Sequence, residues 1–232
     1  MSCRVLAGNS TWRGHVAQQP VRRHYSTAIA KRIIDICLAT TILVVSAPLQ
    51  AVVALAIRLD TKGPIIYRQR RMGRGARAFT MLKFRSMFVD ADEAPHRDYV
   101  TRLLTDSVAE TNEKGTYKIS ADPRITRVGR IIRRFSIDEI PQFYNVLKGD
   151  MSIVGPRPAL PFEVELYDLR YMHRFDAKPG LTGLWQVSGR NRLGMIEMLD
   201  LDLDYVERQS IVRDLHILMK TPGAVLRGDG AE

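Results

Sequence analysis

Apolar side chains concentrate in one stretch near the start of the chain. Residues 33–57 contain a single charged residue, Asp35, in 25 positions. As a straight helix this stretch is about 38 Å long, enough to cross a hydrocarbon layer of about 30 Å. Pro48, in the run Ser46-Ala47-Pro48, divides it, because proline lacks a backbone donor and clashes with the preceding turn. We predict a membrane-embedded helix over residues 30–58 that is broken at Pro48, with Asp35 and Ser46 as further anchor residues.

Both flanks of this stretch are basic. Residues 22–32 and 58–77 carry eleven Lys and Arg side chains against one acidic side chain, Asp60. Cytoplasmic flanks are the ones enriched in Lys and Arg. The pattern therefore favours a re-entrant helix that enters and leaves the cytoplasmic leaflet, and a kinked spanning helix is the alternative. Asp35 follows Lys31 by one helical turn, so we expect the two to pair at the interface.

The pattern after residue 58 predicts a cytoplasmic α+β domain, mostly helical, over residues 59–232. Short strands are predicted at 65–67 and 79–84, on either side of a turn that contains Gly73 and Gly75.

Three helices are predicted in the second half of the chain. One begins at Asp122-Pro123 and ends at Arg134. A capping box at residues 136–139 predicts the next helix, 136–148, which ends at Gly149. The last helix, 211–220, is capped by Ser210, and its spaced apolar residues fit either the core or the surface of a bilayer.

The composition narrows the class of partner. The net charge is +10 over 232 residues, which favours anionic partners such as phosphorylated substrates, acidic lipid headgroups or nucleic acid. Residues 1–29 are predicted to form a flexible basic leader. With two cysteines a disulfide framework is excluded. We predict no nucleic-acid partner, because such a partner leaves the apolar stretch unexplained and aromatic residues make up only 7% of the chain.

Two groups of residues carry candidate phosphate chemistry. Five arginines, Arg124, Arg127, Arg130, Arg133 and Arg134, recur along one side of the predicted helix, opposite Ile125, Val128, Ile131 and Ile132. Either they form a solvated face or they contact lipid phosphates. Lys83 and Arg85 precede Asp90, Asp92 and Glu93, and carboxylates that bind Mg²⁺ beside basic residues suit a diphosphate. The alternative is that these carboxylates only begin a helix.

Taken together, these motifs resemble the small monotopic phosphoglycosyl transferases, the bacterial sugar transferases that act on polyprenyl phosphate. The resemblance covers about residues 30–226. It rests on Lys31-Arg32 with Asp35, Pro48, Gly63-Pro64 followed by Arg68-Gln69, Lys83-Phe84-Arg85-Ser86-Met87, Asp92-Glu93, Ser136 to Glu139, Asn145-Val146-Leu147-Lys148-Gly149-Asp150-Met151-Ser152, Gly155-Pro156-Arg157-Pro158, and Gly189-Arg190-Asn191.

The resemblance implies an activity at the cytoplasmic face of the bacterial inner membrane. Sugar 1-phosphate passes from a UDP-sugar to polyprenyl (undecaprenyl) phosphate, UMP is released, and surface polysaccharide assembly begins. Asp92 is the implied nucleophile and a ligand of Mg²⁺. Glu93 is implied to act as a base, a metal ligand or a positioning group. Lys83, Arg85, Arg157 and Arg190 are the implied phosphate contacts.

Some questions stay open at this point. The run Leu184-Trp185-Gln186 and its continuation to Arg190 is similar to family members that use glucose or galactose. A membrane-tethered scaffold, in which Asp92 and Glu93 only cap a helix, is the rival class. The sequence also leaves open whether the chain pairs with a second copy as a homodimer.

Overall fold

The structure is a computed structural model that describes residues 25–89, 91–92, 94–105, 122–189 and 193–226. It is α+β and mostly helical, as predicted. The elements in chain order are α1 (Tyr25–Val45), α2 (Ala47–Asp60), β1 (Ile66–Met72), β2 (Ala78–Phe84), α3 (Ala94–Thr105), α4 (Arg127–Arg134), α5 (Gln142–Lys148), β3 (Ser152–Val154), α6 (Pro161–Val164), β4 (Gly180–Thr182), α7 (Leu184–Ser188), α8 (Met195–Glu207) and α9 (Ile211–Leu226).

The two N-terminal helices form a bent pair. Their bend is 61° at Ser46, two residues before Pro48. The Ser46 hydroxyl donates to the Ile42 carbonyl at 2.5 Å, and the Gln50 amide donates to the Leu43 carbonyl at 3.1 Å. These side chains satisfy carbonyls at the break, where Pro48 cannot donate. In the described part of the chain no single helix suffices to cross a membrane, and this pair meets the requirement of length and apolarity only as a whole.

The strands form two small sheets. β1 and β2 are an antiparallel hairpin in which Ile66 faces Phe84 and Met72 faces Ala78. Gly75, at φ 67°, lies in the turn between them, as the glycine pattern predicted. β3 and β4 pair in parallel.

Three apolar clusters join these elements. The largest contains Ala39 of α1, Met81 of β2, Val146 of α5 and Ile217 of α9. A second places Val53 and Ile57 of α2 against Phe84 and Ile132. The third contains Val100 of α3 and Trp185 of α7. Both α1 and α2 are therefore packed onto the rest of the fold, so the position of each helix relative to the strands is fixed.

Several predicted boundaries were wrong. The helix predicted from Asp122-Pro123 begins at Arg127, where the Thr126 hydroxyl accepts from the Gly129 N–H at 2.9 Å. The capping box at 136–139 does not form, because Ser136 adopts a left-handed conformation (φ 55°) and no side chain caps the turn. A 3₁₀ turn follows, and α5 begins only after Pro141.

Other predicted boundaries were confirmed or extended. α5 ends at Gly149, as predicted, in a left-handed conformation. Ser210 caps α9, since its hydroxyl accepts from the Arg213 N–H at 3.2 Å, and the helix continues to Leu226 through Pro222. α1 begins at Tyr25, inside the range predicted for the leader, and residues 1–24 lie outside the described part.

Candidate active site

Asp92 lies on the loop between β2 and α3, two residues before the helix begins. Its carboxylate is exposed, and its Oδ1 accepts a 2.8 Å hydrogen bond from the Ala94 N–H. An Asp side chain that accepts from the backbone N–H two residues further on forms an Asx turn, so one oxygen is fixed beside the positive end of α3. Among the described residues no hydrogen bond reaches Oδ2 of Asp92. The side chain therefore has one oriented oxygen and one oxygen that can react.

The chain leading to Asp92 is held against the segment before α4. Met87 and Ile125 form an antiparallel bridge. Two backbone hydrogen bonds flank it, from the Phe88 N–H to the Arg124 carbonyl at 2.9 Å and from the Thr126 N–H to the Ser86 carbonyl at 3.1 Å. This pairing gives an exposed loop a defined path towards α3.

Arg124 also reaches Asp92 through its side chain. Its Nη1 donates to the Asp92 carbonyl at 2.5 Å, and its Nη2 lies 2.7 Å from Oδ2 of Asp122. Hydrogen bonds from the Arg124 side chain hold the pKa of Asp122 below its ordinary value, against the opposing effect of burial. The sequence grouped Arg124 with Arg127, Arg130, Arg133 and Arg134 in one arginine stripe. It gave no sign of the contact with Asp92, because only the fold brings residue 124 to residue 92.

Lys83 has an acidic partner. Its Nζ lies 2.8 Å from Oε1 of Glu139, in the 3₁₀ turn between α4 and α5. Both side chains are partly exposed, at 25% and 37%. Lys83 is therefore paired and still remains within reach of solvent.

Arg85 hydrogen-bonds to the backbone at the C-terminal end of α2. It is 4% exposed, and its guanidinium donates to the Thr61 carbonyl at 2.7 Å and to the Lys62 carbonyl at 2.8 Å. It also donates to the Thr61 hydroxyl at 2.9 Å. The structure therefore shows Arg85 bound to the chain that leaves α2, and shows Lys83 and Arg85 with different partners.

Arg157 stands in the turn between β3 and α6, and buried side chains hold the backbone of this turn. The buried Arg174 donates to the Arg157 carbonyl at 2.8 Å and to Asp202 at 2.5 Å. Arg71 donates to the Pro158 carbonyl at 3.0 Å. Beside the turn, Cζ of Arg97 lies 5.5 Å from the centre of the Phe162 ring, so α3 packs next to α6. The helix that follows Asp92 is therefore in contact with the helix that follows Arg157.

The predicted pair of Lys31 with Asp35 was wrong. Asp35 is buried and accepts from the Ser152 hydroxyl at 3.0 Å and from the Ile153 N–H at 2.9 Å. Lys31 instead lies 2.6 Å from Asp214 of α9. These contacts have the same physical basis as the predicted pair, since a buried charge needs partners, but the partners come from the folded domain.

The arginine stripe is only partly as predicted. Arg127, Arg130 and Arg134 are exposed on α4. Ile131 was predicted on the opposite, buried side, and it is 59% exposed among these arginines. The reason is that residue 131 is one position from Arg130 and three from Arg134, so a helix groups all three.

Two predicted site residues, Glu93 and Arg190, lie outside the described residues, as does Asp90. In the described ranges no group of three or more His, Cys, Asp or Glu side chains could hold a metal ion. The described part of this site offers the exposed carboxylate of Asp92. Such a donor suits Mg²⁺, which is commonly held by one or two carboxylates together with substrate phosphates.

Comparison with known proteins gives the family. The profile of the family described as "Bacterial sugar transferase" matches residues 26–228. Galactosyl transferase CpsE of Streptococcus agalactiae is 44% identical over 209 residues, which are 90% of this chain and 44% of that protein. Undecaprenyl-phosphate galactose phosphotransferase of Salmonella typhimurium is 42% identical over 206 residues, 89% of this chain and 42% of that protein.

A third relative has a more similar length. UDP-glucose:undecaprenyl-phosphate glucose-1-phosphate transferase of Caulobacter vibrioides is 39% identical over 211 residues, 88% of this chain and 72% of that protein. The chain spans less than half the length of the other two relatives. The chain belongs to the bacterial sugar transferase family.

Proposed function

We propose that this protein transfers a sugar 1-phosphate from a UDP-sugar to polyprenyl phosphate and releases UMP, as the first step in building a surface polysaccharide. The observation that carries the proposal is the state of Asp92, an exposed carboxylate with one oxygen fixed and, among the described residues, no hydrogen bond to the other. The names of the relatives supply the chemistry of donor and acceptor.

In the first half-reaction, Oδ2 of Asp92 attacks the phosphorus that bears the sugar. The bond from this phosphorus to the UMP oxygen breaks, UMP leaves, and an aspartyl-phosphosugar forms. In the second, an oxygen of the polyprenyl phosphate attacks the same phosphorus and the Asp92 carboxylate leaves. Mg²⁺, when bound, neutralises developing charge on the phosphates. Lys83 and Arg157 are the described basic groups that we assign to phosphate contact.

The assay is release of UMP by purified protein with Mg²⁺, UDP-sugar and undecaprenyl phosphate. We expect Asp92→Asn to abolish release and to prevent trapping of radiolabelled sugar phosphate on the protein. Asp98→Asn is the matched control, because Asp98 is also an exposed carboxylate, six residues further on in α3. The proposed nucleophile is wrong if Asp92→Asn keeps the activity of the control.

For the donor we propose UDP-glucose or UDP-galactose. The relatives named above act on galactose or glucose according to their names. The same assay with UDP-glucose, UDP-galactose and the two N-acetyl analogues tests this choice. A higher kcat/KM for an N-acetyl sugar would overturn it.

We further propose that α1 and α2 are a re-entrant anchor in the cytoplasmic leaflet of the inner membrane. Both outer ends bind the same domain, since Arg32 donates to the Val146 and Leu147 carbonyls and Arg85 closes α2. The bend between them exposes apolar side chains, such as Val45 at 75% and Val52 at 65%. This arrangement suits a hydrocarbon environment at the bend and an aqueous one at both ends.

Two other helices carry exposed apolar residues that suit contact with the same surface. Ile131 and Phe135 lie among the α4 arginines, and Val212 and Met219 form an exposed stripe on α9.

The topology is tested with single cysteines at the two outer ends of the bent pair. Ala28 and Lys62 are both exposed there, and each is replaced by cysteine in a background that lacks both native cysteines (Cys3→Ser and Cys37→Ser). A membrane-impermeant thiol reagent must reach both positions from the cytoplasmic side. Reaction of Ala28→Cys from the opposite side would support the spanning alternative.

A further inference from the structure

Arg124 has a set of contacts that membrane binding does not explain. Its side chain is 16% exposed and its partner, Asp122, is 7% exposed, so the pair is largely withdrawn from solvent. Of the four other arginines in the stripe, Arg127, Arg130 and Arg134 are exposed. Arg124 is therefore distinct from the surface to which the sequence assigned it.

One edge of the Arg124 guanidinium binds the Asp122 carboxylate, and the remaining nitrogen, Nη1, binds the Asp92 carbonyl. Nε of Arg124 lies 2.9 Å from Oδ1 and 3.1 Å from Oδ2 of Asp122, and Nη2 lies 2.7 Å from Oδ2. The Arg124 N–H also donates to Oδ1 at 3.0 Å. A planar guanidinium held along one edge by a carboxylate has little freedom left. Nη1 is thereby aimed at the Asp92 carbonyl, 2.5 Å away.

We infer that Arg124 is a positioning residue, which sets the place of the Asp92 carboxylate by holding the Asp92 carbonyl. The inference rests on the proposed function, in which Asp92 is the nucleophile. The side chain of Asp92 is exposed and its Oδ1 has one partner, so the carbonyl contact is a second fixed point on the same residue. With both contacts in place, the position of Oδ2 relative to the donor phosphate is restricted.

Loss of the hydrogen bond from Arg124 to the Asp92 carbonyl is expected to lower kcat. A misplacement of about 1 Å at a reacting group costs about 100-fold in rate. We expect Arg124→Gln to lower kcat for UMP release by about 100-fold and to change the KM for the UDP-sugar by less than about threefold, since binding of the donor does not depend on the contact. The matched control is Arg102→Gln, which removes the same charge from an exposed position on α3.

Arg124→Lys separates positioning from simple charge. Lysine keeps the positive charge but lacks the planar fork that binds a carboxylate and a carbonyl together. We expect it to lose about 30-fold or more in kcat, close to the loss in Arg124→Gln. If Arg124→Lys retains wild-type kcat, positive charge near the substrate is sufficient and the positioning role is overturned.

Asp122→Asn tests the same unit without altering Arg124. We expect kcat to fall, and we expect the double variant with Arg124→Gln to be no slower than Arg124→Gln alone, because the two residues act as one unit. Multiplied losses in the double variant would contradict the inference. The KM for the donor serves as the check on folding, because an unfolded protein has no saturable donor site.

Asp92→Asn in the same assay distinguishes a failure of the positioning role of Arg124 from a failure of the nucleophilic role of Asp92. If it is inactive while every Arg124 variant keeps a kcat within about twofold of wild type, the positioning inference is wrong and the nucleophile stands. If Asp92→Asn is active, the proposed nucleophile is wrong, and the role of Arg124 as a support for that nucleophile fails with it.

Discussion

Nζ of Lys31 lies 2.6 Å from Oδ2 of Asp214, which joins the first helix of the described chain to the last. Oδ1 of Asp214 accepts from the Tyr205 hydroxyl at 2.6 Å, and Lys31 also donates to the Val154 carbonyl at 2.9 Å. The side chains of Lys31 and Asp214 are 16% and 9% exposed. This cluster ties α1, β3, α8 and α9 together at the entrance to the bent pair.

Breaking the pair of Lys31 with Asp214 is expected to destabilise the protein. Lys31→Met or Asp214→Asn alone leaves one charge largely buried without its partner, and each should lower the free energy of unfolding by about 3 kcal/mol. The double variant should lose less than the sum of the two. Denaturant unfolding in detergent compares the wild type with the three variants. Strict additivity would contradict the pairing.

Arg85→Lys should loosen α2 and leave donor binding nearly intact. Lysine cannot reach the Thr61 and Lys62 carbonyls together, so the α2 end loses hydrogen bonds of about 1 to 3 kcal/mol in total. Hydrogen exchange of the α2 backbone should rise, and the KM for the UDP-sugar should stay near wild type. A large rise in KM with unchanged exchange would instead support the phosphate contact implied by the resemblance.

Gly129→Ala should disturb the path to Asp92. A β-carbon at residue 129 would lie 2.0 Å from the Ser86 carbonyl oxygen, so α4 and the segment before Asp92 must move apart. We expect a lower melting temperature and a lower kcat. Gly223→Ala is the control, because a β-carbon there meets nothing within 4 Å and alanine favours a helix. Equal effects of the two changes would show that the close contact at Ser86 is unimportant.

Asp202→Asn should destabilise the turn that carries Arg157. Asp202 and Arg174 are 2% and 4% exposed, and removal of one charge leaves the other buried, at a loss of about 3 to 5 kcal/mol. Asp200→Asn is the matched change two residues away, where the pair with Arg170 is exposed at 51% and 60% and is worth less than about 1 kcal/mol. Thermal unfolding of both variants checks the difference; similar losses would contradict the buried pair.

Local patterns predicted part of the fold well. The break at Pro48, the turn near Gly75 and the end of α5 at Gly149 follow from backbone constraints that act within a few residues. The capping box at 136–139 did not form, because Ser136 adopts a left-handed conformation in which no side chain caps the turn.

The candidate site also has features that the local sequence predicts and features that only the fold determines. Asp92 could be singled out from its neighbours and from the family resemblance, and an exposed carboxylate at the start of a helix is a local feature. The contacts of Arg124 with Asp92 and of Arg85 with the end of α2 could not be predicted from the sequence. Their partners are backbone carbonyls of residues distant in the chain, and every residue has such a carbonyl.

The sequence by itself determined an apolar stretch with a proline break, two basic flanks and a short acidic motif after a basic pair. These properties depend on residue type and spacing alone. Only the tertiary structure decided what each charged side chain binds. Lys31 binds the Asp214 carboxylate, Asp35 binds the Ser152 hydroxyl and the Ile153 N–H of β3, and Arg124 binds the Asp92 carbonyl. The physical reason is that a partly buried charge must find a partner, and packing of distant elements determines which one lies within reach.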